Sequence, residues 1–156
     1  MNRVLLFTLA AVLMMVAAPV YAQGNVDSYI ELIRSDLQTQ TKALITEAMQ
    51  FTDDEAKVFW PMYREYELES AKLGDRRVAL LKEYAANYET MTDEKTGKLI
   101  NESFAFQKDR VELRKKYYEK AVKLMGIKRA AQWAQIENQI QNLVEAKISS
   151  QIPLLK

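Results

Sequence analysis

The stretch FTDDEAKVFWPMY, residues 51–63, opens like a helix and then places a proline where a helix should be in full run. Thr52 is followed three residues later by Glu55, the spacing of a capping box. In that motif the threonine hydroxyl takes the Glu55 amide and the Glu55 carboxylate returns to the Thr52 amide. Asp53, Asp54 and Glu55 also set negative charge on the positive end of the helix dipole. Thr52 is therefore a helix start. Pro61 falls well beyond the first turn, where its ring removes the bond to the Lys57 carbonyl and crowds it, at about 3 kcal/mol in an undisturbed helix. The apolar pattern nevertheless resumes through Tyr63, Tyr66, Leu73, Leu80, Tyr84 and Tyr88. The stretch reads as the capped start of one long helix kinked at Pro61, with Phe59, Trp60 and Tyr63 turned toward its concave side.

Working outward, the chain shows few turn signals: Gln50-Phe51-Thr52, Glu89-Thr90-Met91-Thr92, Met125-Gly126-Ile127 and Pro153. Between them lie segments rich in Glu, Lys, Ala, Leu and Gln, all good helix formers. No alternation typical of strands is bounded by turn residues. The prediction is an all-α fold of four helices. The first runs from about Val26 to Ala48, with Asn25 as N-cap and Val26, Ile30, Ile33, Leu37, Leu44 and Ala48 on one face. The second starts after Thr52. The third spans about Asp93 to Met125 with Thr92 as N-cap, and Gly126 supplies a left-handed C′ residue with Ile127 folding back on it. The fourth places Trp133, Ile136, Ile140 and Leu143 on one side.

The third helix carries two apolar stripes. Leu99, Phe106, Leu113, Tyr117 and Leu124 form one; Ile100, Phe104, Val111, Tyr118, Val122 and Met125 form the other. Two stripes imply two neighbours, or a neighbour and a partner. A short link at Glu89–Thr92 makes the second and third helices a long antiparallel hairpin, pairing positions whose numbers sum to about 181. That register sets Glu65 near Lys116 and Tyr63 near Tyr118, and leaves Glu69 level with Glu112 unless it leans toward Arg110 or Arg114.

Residues 1–22 have the form of a secretory signal peptide. Asn2 and Arg3 give a basic start, Leu5 to Ala18 an apolar run, and Val20-Tyr21-Ala22 a cleavage site before Gln23. The run is short for a membrane span, and no cysteine follows it to carry a lipid. The expectation is a single domain over residues 23–156, in a periplasm, with no membrane span after cleavage. Arg3 is the only charged residue removed, so 21 basic and 21 acidic residues remain and the formal charge is zero. Without a basic excess, nucleic acid is not an expected partner.

The chain has no histidine and no cysteine, which removes the usual metal ligands and nucleophilic machinery. Asp53-Asp54-Glu55 lacks the alternating ligands and the glycine of a calcium loop. With four glycines there is no phosphate-binding loop. The expectation is no enzyme, no cofactor and no metal. What remains is a surface of aromatic and basic residues, and the candidate partner-binding set is Phe59, Trp60, Tyr63, Arg76, Arg77, Arg114 and Lys115.

The apolar-threonine pairs of FTDDE and MTDEK, at residues 51–55 and 91–95, follow a signal-like segment in a helical chain without cysteine. In this the chain resembles the Spy/CpxP group of periplasmic helical proteins, whose signature is a repeated LTxxQ turn. Both copies here lack the leucine and the final glutamine. The resemblance implies long bent helices in an antiparallel hairpin, often dimerised into a cradle. It implies an ATP-independent chaperone contacting non-native polypeptide, or an adaptor restraining one specific envelope protein. Metal-sensing relatives of that group use histidine-rich sites, so a metal or small-molecule sensor is the less favoured alternative.

Overall fold

The computed structural model describes residues 26–150 and 152–155. The expected signal segment and the Asn25 cap lie outside them. Four helices follow in order: α1 (Val26–Met49), α2 (Asp53–Asn87), α3 (Asp93–Met125) and α4 (Ile127–Ser149), with a 3-10 turn at Tyr88–Thr90 between α2 and α3. There is no strand among the described residues, and the all-α class stands. No described helix is long and apolar enough to cross a membrane. The chain divides into two compact units, one ending at Gln50 and the other beginning at Phe51.

Among the described residues, the first unit consists of the helix α1. Over residues 37–49, where its side chains are described, Ile45 and Met49 are buried, while Ala48, expected on the apolar face, is exposed. Gln50 closes it with a positive φ of 45°, its amide donating to the Thr46 carbonyl at 3.1 Å. This is the left-handed ending that more often falls to glycine or asparagine.

The second unit is a three-helix arrangement. The start of α2 is the capping box the sequence implies: the Glu55 amide donates to Thr52 Oγ1 at 3.3 Å, and the Thr52 amide donates to Glu55 Oε2 at 3.0 Å. A threonine cap stabilises a helix end by about 1 kcal/mol. The same device recurs at α3, where the Lys95 amide donates to Thr92 Oγ1 at 3.3 Å. Pro61 lies inside α2, which runs on without a break. The proline is on the exposed side of the helix, as is Lys57, so the carbonyl it deprives of a partner faces water rather than the core.

The hairpin register differs from the expected one. Lys120 pairs with Glu65 (2.8 Å), Lys116 with Glu69 (2.7 Å) and Arg76 with Asp109 (2.5 Å), all at a residue-number sum of 185. Nearer the turn, Lys95 reaches Glu83 at a sum of 178. The pairing thus slips by about one helical turn away from the link. The slip gives Glu69 a cation in place of Glu112. Tyr117 adds its hydroxyl, donating to Glu69 Oε1 at 2.8 Å. The Lys116 ammonium and then this hydroxyl hold the Glu69 carboxyl below the usual range.

Gly126 ends α3 and begins α4. Its φ of 81° and ψ of 163° lie in a region that glycine alone occupies readily. It is therefore not the left-handed helical C′ residue expected, and Ile127 is exposed instead of folded back. The Gly126 amide donates to the Val122 carbonyl, and its carbonyl accepts from Ala130, so one residue closes one helix and opens the next. The reversal brings α4 back against both arms of the hairpin, parallel to α2. Arg129 meets Glu55, Glu137 meets Tyr66, Glu145 meets Arg77, and the carbonyls of Pro153 and Leu154 accept from Tyr84 and Tyr88.

The centre of this unit is aromatic. Phe59, Tyr63 and Tyr66 follow one another along one side of α2, and the Trp133 indole stands edge-on to all three at 5.8, 6.3 and 5.6 Å between centroids. Tyr117 closes the group from α3, 5.4 Å from Tyr66. Edge-to-face geometry adds about 0.5–1.5 kcal/mol per pair beyond area burial. Farther along, Arg77 and Arg110 both lie over the Phe106 ring, at 5.5 and 5.3 Å, and both pair with Glu145. That cluster ties α2, α3 and α4 together at its level.

Candidate functional site

The seven candidate surface residues do not form one surface. Phe59 and Tyr63 are buried against Trp133, so they hold the core and are not available to a partner. The expectation of a concave face built from them fails because α4 fills that side of α2. Trp60 is half-buried, edge-on to Phe51, Phe59 and Tyr63. Arg76 is engaged with Asp109, and Arg77 with Glu145 and Phe106. Arg114 and Lys115 alone come together in a concave setting.

That setting is a cleft of about 310 Å³ between α3 and α4, lined by Val111, Arg114, Lys115, Tyr118, Trp133, Ala134 and Glu137. Helical spacing assembles it. On α3, Arg114 and Lys115 lie three or four residues from both Val111 and Tyr118, and on α4 Glu137 lies four and three residues after Trp133 and Ala134. The walls are apolar in Val111, Ala134 and the two aromatic rings. Arg114 donates to Asn138 Oδ1 at 3.1 Å. Lys115 is exposed and stands 3.9 Å from Glu119, a loose pair of little energetic weight.

Glu137 is the residue the sequence reading passed over. It is 5% exposed and falls in the buried series Ala130, Trp133, Glu137, Ile140. Its Oε1 accepts from the Tyr66 hydroxyl at 2.8 Å and from Gln141 Nε2 at 3.4 Å, while Oε2 has no hydrogen-bond partner. The Trp133 Nε1 is likewise buried without one. Burial raises the Glu137 pKa; the Tyr66 and Gln141 bonds and the Arg114 charge oppose that rise, and Glu67 adds to it. Burial, and then the Glu137 charge, push the Tyr66 hydroxyl up as well. The signal was present in the sequence as a carboxylate at a position that the three-and-four spacing of Ala130, Trp133 and Ile140 assigns to the core.

A second exposed feature leads into the cleft. Ile100, Phe104 and Val111 are 50%, 63% and 60% exposed along the outer side of α3, and Val111 and Tyr118 continue that line into the cleft. This is the second apolar stripe of α3. The first stripe packs inward through Leu99, Phe106 and Tyr117.

At the start of α4, Arg129 grips Glu55 with two bonds, Nε to Oε1 at 2.7 Å and Nη2 to Oε2 at 2.8 Å, and lies 5.5 Å from the Phe51 ring. This guanidinium, then the Thr52 amide, lowers the Glu55 pKa to about 2. Glu55 is thus both cap and clamp. It is structural rather than a free carboxylate for chemistry. Among the described residues no three Asp or Glu side chains gather as a metal site.

No protein-family model matches the chain, and neither a curated protein nor a solved structure matches it.

Proposed function

We propose that this chain is a cofactor-free binding protein of the periplasm that acts as an ATP-independent chaperone, making weak and reversible contact with non-native polypeptide. The contact surface is the outer side of α3, with Ile100, Phe104 and Val111 in line and Arg114 and Lys115 beside them. The carrying observation is that exposed apolar line. Three large apolar residues along one helix face form a patch of the kind that marks interaction surfaces, whereas single exposed apolar residues do not. A mixed apolar and cationic face suits unfolded chains, which offer apolar side chains and carboxylates in many arrangements.

The test is suppression of aggregation for several unrelated clients. Replacing Phe104 and Val111 together with serine is expected to raise the amount of protein needed for half-suppression by about tenfold, since burying one such side chain is worth about 1.5–3 kcal/mol. Both residues are exposed, so helicity by circular dichroism should be unchanged. Leu68→Ser, at an equally exposed position on α2, should leave suppression intact. Full suppression by the double variant, or binding to a single envelope protein and to no unfolded client, would contradict the chaperone reading.

A further inference from the structure

The cleft between α3 and α4 is more specific than the stripe that leads into it. Its volume of about 310 Å³ is at the lower end of the range for ligand pockets, enough for one side chain and its neighbour and too little for a long segment. Its walls are two aromatic rings, a valine and an alanine. The cations it presents are Arg114 and Lys115. Its one carboxylate, Glu137, is buried, with Oε1 accepting from Tyr66 and Gln141 and Oε2 without a hydrogen-bond partner. The charge offered at the rim is therefore positive: Arg114 keeps donors beyond its one bond to Asn138, and Lys115 is exposed.

We propose that this cleft seats one apolar side chain of a bound polypeptide whose next residue carries a carboxylate. The apolar side chain lies between Tyr118, Trp133 and Val111, and the carboxylate reaches Arg114, with Lys115 adding charge. The proposal rests on the polypeptide-binding reading, and it refines it: the exposed stripe supplies contact with any apolar segment, and the cleft supplies a preference for aromatic-acidic pairs.

The chain contains two tryptophans, so Trp60→Phe leaves Trp133, in the wall of the cleft, as the only indole. This variant is titrated with the capped hexapeptide GSFEGS and followed by tryptophan fluorescence. A saturable change is expected. The peptide GSAEGS should bind at least about tenfold more weakly, by the loss of one buried aromatic side chain. The peptide GSFQGS should bind about threefold to fivefold more weakly, the range of a partly exposed ion pair. Adding Arg114→Gln should erase the difference between GSFEGS and GSFQGS while leaving that between GSFEGS and GSAEGS. No saturable change with GSFEGS, equal binding of GSFEGS and GSFQGS, or equal binding of GSFEGS and GSAEGS would each overturn the proposal. The aggregation assay above is read independently. Saturable peptide binding with no suppression of aggregation would remove the chaperone reading and leave the seat in place.

Discussion

Trp133→Ala is expected to destabilise the fold by about 3–5 kcal/mol, the range for removing a large aromatic side chain from a well-packed core. The indole is buried and touches Phe59, Tyr63 and Tyr66 at once, so its loss opens a cavity where α4 meets the aromatic side of α2. Small domains are held by about 5–15 kcal/mol in total, so a large part of the stability should go. Urea unfolding followed by far-ultraviolet circular dichroism measures it. Trp60→Ala serves as the contrast: Trp60 is half-buried, and its replacement should cost clearly less. Equal losses for the two tryptophans, or a loss under about 1 kcal/mol for Trp133, would show that α4 does not depend on this contact.

Glu137→Gln is expected to stabilise the protein above neutral pH and to flatten its stability profile. The folded carboxyl is raised by burial, whereas the unfolded one titrates near the usual value of about 4.3. For a group raised on folding, the folded state holds the proton more tightly. The favourable contribution is therefore complete below the unfolded pKa and is lost as pH rises through the folded pKa. Every tenfold difference in proton affinity between the folded and unfolded carboxyl is worth about 1.4 kcal/mol once the pH exceeds the folded value. Glutamine keeps an oxygen for the Tyr66 hydroxyl and has no charge to bury. Variant and parent should match near pH 4 and diverge in favour of the variant by pH 8. The reverse order at pH 8 would mean that the ionised carboxylate is stabilised in place, with Arg114 as its counter-charge, in spite of burial and Glu67.

The fold was legible where local chemistry decides it. Thr52 with Glu55, and Thr92 before Asp93, marked two helix starts that the structure reproduces. Gly126 marked the junction of α3 and α4, although its backbone is extended and not left-handed helical. The continuation of α2 through Pro61 followed from the apolar spacing on both sides, and the exposed position of the proline explains why it is tolerated. The site was less legible, because spacing shows which residues share a face and not which neighbour covers it. Phe59 and Tyr63 have the pattern of an interface and the pattern of a core alike; the return of α4 after Gly126 makes them core. The hairpin register was missed by one turn because the length of a link does not fix how far two helices slide along each other, and the sequence allows several charge pairings besides Lys120 with Glu65 and Lys116 with Glu69. Glu137 was missed because charged residues are ordinarily solvated, and only its place among Ala130, Trp133 and Ile140 sets it apart.

The proposed polypeptide-binding surface on α3 is tested most directly by placing a photo-cross-linking amino acid at position 104 or, as a control, at position 68. Both residues are exposed apolar side chains, Phe104 on α3 and Leu68 on α2. Irradiation is carried out with several unrelated clients during unfolding. A polypeptide-binding face on α3 predicts adducts with most clients from position 104 and few from position 68. Equal yields from the two positions, or no adducts from position 104, would contradict it.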